Sequence, residues 1–252
     1  MDPEETSNRA LVRSHVYSFL SPLFLHPDEE IFSDLNWEGV KDAVALLGNS
    51  DGLTEAIESL RGCLMDPVAL EEEYVRVFGH TISTECPPYE TQYGGAHVFQ
   101  QTQNLGDIAG FYRAFGLEIS DQVKERLDHI ATELEFMAFL AFKQAYALTS
   151  GSEDKDEVCR EAQRKFLNDH LCTWVPLFTK RLEEKGGFYQ KLALLTELFL
   201  AFEVEAFGVK PLLVVESLTP TPLEPEENCF SCGVQDYCLP TEGLSWEESV
   251  AE

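Results

Sequence analysis

The chain has 252 residues, of which 45 are acidic and 18 basic, for a formal charge of −27. Such a surface repels phosphate backbones and anionic lipid, so nucleic-acid and membrane-surface binding are excluded as first readings, and a basic partner such as an arginine-bearing peptide is favoured. A hydrophobic fraction of 44% with 17 Phe supplies the core of one large domain or two small ones.

From the start, Leu11/Val12, His15/Val16, Phe19/Leu20 and Leu23/Phe24 repeat every four residues and predict an amphipathic helix over 8–25, capped by Ser7 or Asn8 and stopped at Pro27. Shorter helices are predicted over about 28–35, 38–47 and 53–64. Asp66-Pro67 reads as an N-cap with Pro at the first helical position, opening a helix through Tyr74, Val77 and Phe78 that ends at Gly79.

The next stretch, Glu85-Cys86-Pro87-Pro88-Tyr89-Glu90-Thr91-Gln92-Tyr93-Gly94-Gly95, cannot be helical. Each Pro lacks a donor and pushes the residue before it out of the α region. The result is a stiff aromatic and acidic loop, either a connector that packs its tyrosines on the core or a functional wall. A domain break near 79–96 is conceivable there, although no flexible linker supports it.

Helices are then predicted over 98–115, over 121–148 with Ser120 as cap, from about 157 to 169, onward through Trp174-Val175-Pro176 to Lys185, and over 188–207. Only 212–215 has any strand character. The fold class is all-α, a bundle of roughly eight to ten helices over 1–210. Residues 211–252 contain no Lys or Arg against nine acidic residues, and four of the twelve prolines fall in 211–225. This segment reads as an extended, acidic, cysteine-containing C-terminal tail.

The start, Met1-Asp2-Pro3-Glu4-Glu5, is acidic where a secretory signal would be basic, and no uninterrupted apolar run approaches the ~18 residues of a membrane helix. The expected location is therefore cytoplasmic. Seven cysteines there do not read as a disulfide framework.

Two constellations have metal-ligating residue types. His129 and Glu133 are four apart and share a helix face, but no Glu-x-x-His motif accompanies them, so a solvated or capped histidine is the better reading. Cys229, Cys232 and Cys238 form a Cys-x2-Cys-x5-Cys half-site for zinc or an iron–sulfur cluster, with Cys86 as one candidate fourth ligand and a free-thiol or redox tail as the alternative. The enzyme motifs Gly-x-Ser-x-Gly, His-Glu-x-x-His, Gly-x-Gly-x-x-Gly and the P-loop are absent.

Tyr74-Val75-Arg76-Val77-Phe78, Glu85-Cys86-Pro87-Pro88-Tyr89-Glu90, Tyr93-Gly94, Asp128-His129 through Met137, and Phe166-Leu167-Asn168-Asp169-His170-Leu171 with Trp174 to Phe178 occur in that order. Over about residues 8–207 this set resembles the TorD/DmsD/NarJ family of redox-enzyme maturation chaperones. The resemblance implies a cytosolic, non-enzymatic, all-α protein without an intrinsic cofactor. It would bind the twin-arginine signal peptide and precursor of a molybdenum-containing oxidoreductase subunit before export, as a monomer or, since domain swapping is seen in the family, a dimer. An assembly factor for a membrane-bound nitrate-reductase-type enzyme that is never exported is a variant of this reading. Carried over as peptide-binding are Tyr74, Phe78, Glu85, Pro87, Pro88, Tyr89, Glu90, Tyr93, Asp128 and His129. Val77 departs from the more usual Leu, and the cysteine-containing tail is not part of the family pattern. The reading from another class is a metal-binding redox or assembly protein that uses the C-terminal cysteines.

Overall fold

A computed structural model describes residues 3–27, 32, 35–48, 51–64, 66–79, 83, 85–94, 98–118, 125–211 and 214–218. All of them lie in one compact unit, Met1–Thr219. Nine α-helices are present among the described residues: α1 (Pro3–Leu20), α2 (Trp37–Ala45), α3 (Asp51–Gly62), α4 (Pro67–Phe78), α5 (Val98–Ala114), α6 (Ile130–Thr149), α7 (Glu153–Phe166), α8 (Cys172–Glu183) and α9 (Gly187–Phe207). The 3₁₀ turns Ser21–Phe24 and Glu90–Gln92 and a π turn, Leu167–Leu171, complete them. The all-α class agrees with the sequence expectation.

The bundle is built around α6, which is apolar on most of its circumference and so must be covered on most sides. Its alanines leave room for α1 to lie close. Ser7, Ser14 and Ser21, seven residues apart on α1 and its 3₁₀ extension, donate hydroxyl hydrogen bonds to the carbonyls of Ala145 (3.1 Å), Ala138 (2.8 Å) and Ala131 (2.9 Å). The carbonyls fall in descending order, so the two helices run antiparallel. Trp174, Tyr17, Tyr189, Phe166, Phe178 and Phe188 lie fully buried in the surrounding core. Burial of each such ring contributes roughly 2–3 kcal/mol.

In the middle of α1, Arg13 is buried. Its Nε and Nη2 reach the two oxygens of Glu203 on α9 at 2.6 Å each, Nη2 also donates to Gln163 Oε1 on α7 (2.6 Å), and Nη1 to Gln144 Oε1 on α6 (3.3 Å). The Tyr17 hydroxyl donates to Glu203 as well, at 2.9 Å. One guanidinium thus joins four helices, with its charge neutralised in a bidentate pair.

Several sequence expectations need correction. Ser7 is no cap; α1 begins at Pro3 and Ser7 binds α6. Leu11 and His15 face outward from the predicted stripe. The long helix begins at Ile130 rather than 121, because the backbone before it is committed elsewhere: Ile130 N–H donates to Pro88 O at 2.9 Å, and His129 caps the helix. Ser120 and most of 28–35 lie outside the described residues, as do 212–213 of the suggested strand. The loop is no domain boundary, since both sides belong to the one unit.

Beyond α7 the chain does not break before Trp174 but continues through the π turn into α8. Pro176, which has no N–H to offer the turn before it, sits inside α8. The hydroxyl of Thr173 satisfies the His170 carbonyl at 2.7 Å.

Candidate functional site

Proline chemistry keeps the loop out of a helix, and hydrogen bonds then fix its path. The Ser83 hydroxyl accepts from the amides of Glu85 (3.3 Å) and Cys86 (3.1 Å). The Tyr93 hydroxyl donates to Pro87 O at 2.9 Å, which closes the loop on itself, and the Tyr93 ring stacks at a tilt on Trp174 with centroids 5.1 Å apart. Glu90 N–H donates to Asp128 O, and Ile130 N–H to Pro88 O, both at 2.9 Å, so that Tyr89 and His129 form an antiparallel bridge. The loop is thereby stitched to the turn that leads into α6.

Asp128 is completely buried and anchors that seam. It accepts from the Thr91 amide (3.2 Å) and hydroxyl (2.7 Å), and from Nε (3.0 Å) and Nη2 (2.9 Å) of Arg126. Nη2 also donates to the Thr91 hydroxyl at 2.7 Å. A carboxylate with several charged or amide donors is a strong structural clamp. His129, buried beside it, accepts the Ala131 amide on Nδ1 at 3.1 Å as the N-cap of α6. Burial, reinforced by the Arg126 charge, lowers its pKa to about 3, so the ring is neutral at pH 7.

A second buried group lies on the inner side of the loop. Glu90 places both carboxylate oxygens 3.1 Å from His170 Nδ1. His170 sits in the π turn, edge-on to Phe111 (centroids 5.4 Å) and tilted against Phe166 (4.8 Å). Its Nε2 is 3.5 Å from Asp107 Oδ2. Glu133, also completely buried, accepts from Trp174 Nε1 at 3.2 Å. Burial pushes the Glu133 carboxyl well above its ordinary pKa, and the nearby Glu90 and Asp128 push it further. His129 and Glu133 do not work as a pair, since one caps the helix and the other points at the Glu90 group.

The accessible face is aromatic and acidic. Tyr74 and Tyr89 are half-buried. The Tyr89 hydroxyl donates to Glu125 Oε2 at 3.2 Å, and the Arg126 guanidinium lies 4.8 Å above the Tyr89 ring centre. Tyr89 also meets the His129 ring edge-on at 5.1 Å. Tyr74 packs on Phe78 (4.9 Å) and on His26 (5.1 Å), whose Nε2 is 3.6 Å from Glu71 Oε1. Burial, and after it the Glu125 charge, raises the pKa of both Tyr74 and Tyr89 to about 12. Both hydroxyls therefore stay protonated donors at any physiological pH.

The structure thus brings most of the sequence-predicted residues together, but in two roles. Tyr74 and Tyr89 are reachable, and so is Glu85, whose carboxylate pairs with Lys185 while its carbonyl accepts from Arg181 at 3.0 Å. Phe78, Pro87, Pro88, Glu90, Tyr93, Asp128 and His129 are buried and hold the loop and helix start in place. Sequence reasoning missed Thr91, Glu125 and Arg126. Arg126 had a signal, a basic residue two before Asp128, but its bidentate geometry has none.

Cys229, Cys232 and Cys238 lie outside the described residues. Cys86 is buried with its thiol 3.9 Å from the Phe178 carbonyl, and burial raises its pKa to about 12, which favours the protonated form over a metal-binding thiolate. Among the described residues, no group of three or more His, Cys, Asp or Glu is placed to hold a metal ion, and no helix is long and apolar enough to cross a membrane.

Comparison with known proteins bears on this site. A family model described as nitrate reductase delta subunit matches residues 48–180, a span that contains the loop, the Asp128 clamp and the π turn. The perchlorate reductase assembly chaperone protein of Dechloromonas aromatica is 31% identical over 80% of this chain and 92% of its own length. The chlorate reductase assembly chaperone protein of Ideonella dechloratans is 29% identical over 69% of this chain and 78% of its own. The chaperone protein TorD of Photobacterium profundum is 25% identical over 70% and 85% respectively.

Proposed function

Because the chain belongs to the nitrate reductase delta subunit family of redox-enzyme maturation chaperones, we propose that it holds the precursor of a molybdenum-containing oxidoreductase subunit by its twin-arginine signal peptide until the cofactor is inserted. The protein is a chaperone, not a catalyst. Its relatives are named as assembly chaperones of perchlorate and chlorate reductases, which supports a client of that chemical class.

The observation that carries the reading is the half-buried aromatic surface of Tyr74, on α4, and Tyr89, on the rigid loop, edged by Glu71 and Glu125. A guanidinium seeks carboxylates and aromatic faces, and the Tyr89 ring already carries one, that of Arg126. The apolar run that follows the arginines in such a signal suits the adjoining ring surface of Tyr74, backed by Phe78. In this reading Tyr74, Tyr89, Glu125 and Glu85 touch the peptide. Asp128, His129, Glu90, Tyr93 and the two prolines bind it indirectly, by holding Tyr89 and Arg126 in position. The net charge of −27 steers a basic signal toward the protein in the cytoplasm.

Titration with a labelled twin-arginine peptide tests the proposal. Replacing the arginine pair by lysines is expected to weaken binding about tenfold, since lysine keeps the charge but loses the fork geometry and the stacking. Tyr89→Ala is expected to weaken it by a similar factor. Affinity indifferent to Arg→Lys would overturn the contact, and absence of binding to any precursor would overturn the role.

A further inference from the structure

After α9 the chain turns back across the loop. Val215 N–H donates to Thr173 O, and Gly94 N–H donates to Ser217 O, each at 2.8 Å. Tyr93 and Leu218 form an antiparallel bridge. Val215 and Leu218 turn inward onto the core that contains Tyr93 and Trp174, while Val214 between them and α9 is half-exposed. A short extended segment is therefore paired to the backbone of the same loop that bears Tyr89, in a protein whose remaining described residues are almost wholly helical.

We propose that this backbone edge, at Tyr93-Gly94 and the Thr173 carbonyl, is a seat for an extended apolar segment of the client, and that Val214–Leu218 fills it in cis until the client displaces it. The inference rests on the peptide-binding reading above and names the segment that regulates that site. Four observations support it. The pairing uses main-chain donors and acceptors, so any extended chain can reproduce it. Tyr93 and Gly94 follow directly on the 3₁₀ turn Glu90–Gln92 of the loop, and Thr173 lies in the first turn of α8. Gly94 adopts φ +99, and among the described residues the side chain in contact range of a Cβ built there is that of Val215, the nearest carbon at 3.7 Å, so the cis segment packs directly against this edge. The two residues of the cis occupant Val214–Leu218 that pack on the core, Val215 and Leu218, are aliphatic like the apolar run of a signal peptide. An intramolecular occupant lowers the apparent affinity for a client by the fraction of molecules in which the edge is open. Release of the client would be assisted by return of the segment.

Hydrogen exchange on the full chain tests this, with and without a synthetic peptide made of an Arg pair and an apolar run, at a concentration where calorimetry shows the complex formed. The expected result is faster exchange at 214–218 in the complex, while Gly94 stays protected because the incoming strand takes over its bond. Val215→Pro removes the donor to Thr173, and is expected to tighten peptide binding roughly two- to tenfold, the worth of one hydrogen bond. Unchanged or slower exchange at 214–218 with the peptide bound would overturn the displacement and leave the chaperone reading standing. Absence of binding in the calorimeter would remove both.

Discussion

Asp128 shows that an acidic residue at the proposed peptide site is not itself exposed to a peptide. Its carboxylate is fully enclosed and used up by Thr91 and Arg126, so its effect reaches the surface through the guanidinium stacked on Tyr89. Asp128→Ala leaves the Thr91 amide without its partner and is expected to cost about 2–4 kcal/mol in urea unfolding, with loss of peptide affinity as a consequence. The prominence of Asp128-His129 was legible in the sequence. Its partners were not, because Thr91 lies 37 residues away and only the folded loop brings it to 2.7 Å. Glu133 gives a pH signature of the opposite sign to an ordinary carboxylate. Its folded pKa is raised above the usual 4.5, so folding takes up a proton. The stabilisation from Glu133 is complete below 4.5 and declines as pH rises above it toward the folded value. Glu133→Gln keeps the neutral shape and is expected to unfold at higher urea than the native protein at pH 8, with the difference closing near pH 4.5. A native protein more stable than the variant at pH 8 would show that Glu133 is charged in the fold.

Among the elements, the join between α8 and α9 shows how tightly backbone and side chain are matched. Gly187 has φ +67, and a Cβ there would stand 2.3 Å from Glu73 Oε1. Glu73 in turn accepts the Tyr189 amide at 3.3 Å, one of the orphan donors of the first turn of α9. Gly187→Ala combines positive-φ strain with that collision, and a loss of about 1–3 kcal/mol is expected in thermal or urea unfolding. The helices α3, α4, α5 and α9 were readable from periodicity and from caps such as Asp66, whose side chain accepts the Ala69 amide at 3.2 Å. The start of α6 was misplaced by nine residues because periodicity continues through Leu127 although the backbone there belongs to the loop seam. Ser7 was misread for a related reason: its hydroxyl serves a neighbouring helix that a sequence pattern does not show. The π turn likewise has no local pattern beyond Pro176, yet it is what aims His170 at Glu90.

Within the unit Met1–Thr219 the described residues form a welded cluster around Arg13 and a second cluster around the loop. At the first, Arg13 joins α1, α6, α7 and α9, and Arg13→Ala strands the buried Glu203. That variant is expected to lose about 3–5 kcal/mol of stability, and the double variant Arg13→Met with Glu203→Leu to recover much of it, as scored by urea midpoints. Arg13 was invisible as a core residue because a lone basic residue in an amphipathic pattern normally faces water. At the second, the loop, the α6 start and the 214–218 segment meet. α6 itself offers the internal control: Tyr146 is exposed, more so than the half-buried Tyr89, but lies 16 residues along the helix from Ile130, roughly 24 Å by helical rise. A photoreactive benzoylphenylalanine placed at position 89, 74 or 146 and irradiated with a twin-arginine precursor reads the location of the site directly. Adducts to the signal segment from positions 74 and 89, with none from 146, are the result expected of a peptide site at the loop. Adducts from 146 alone, or from no position while the precursor is bound, would contradict it.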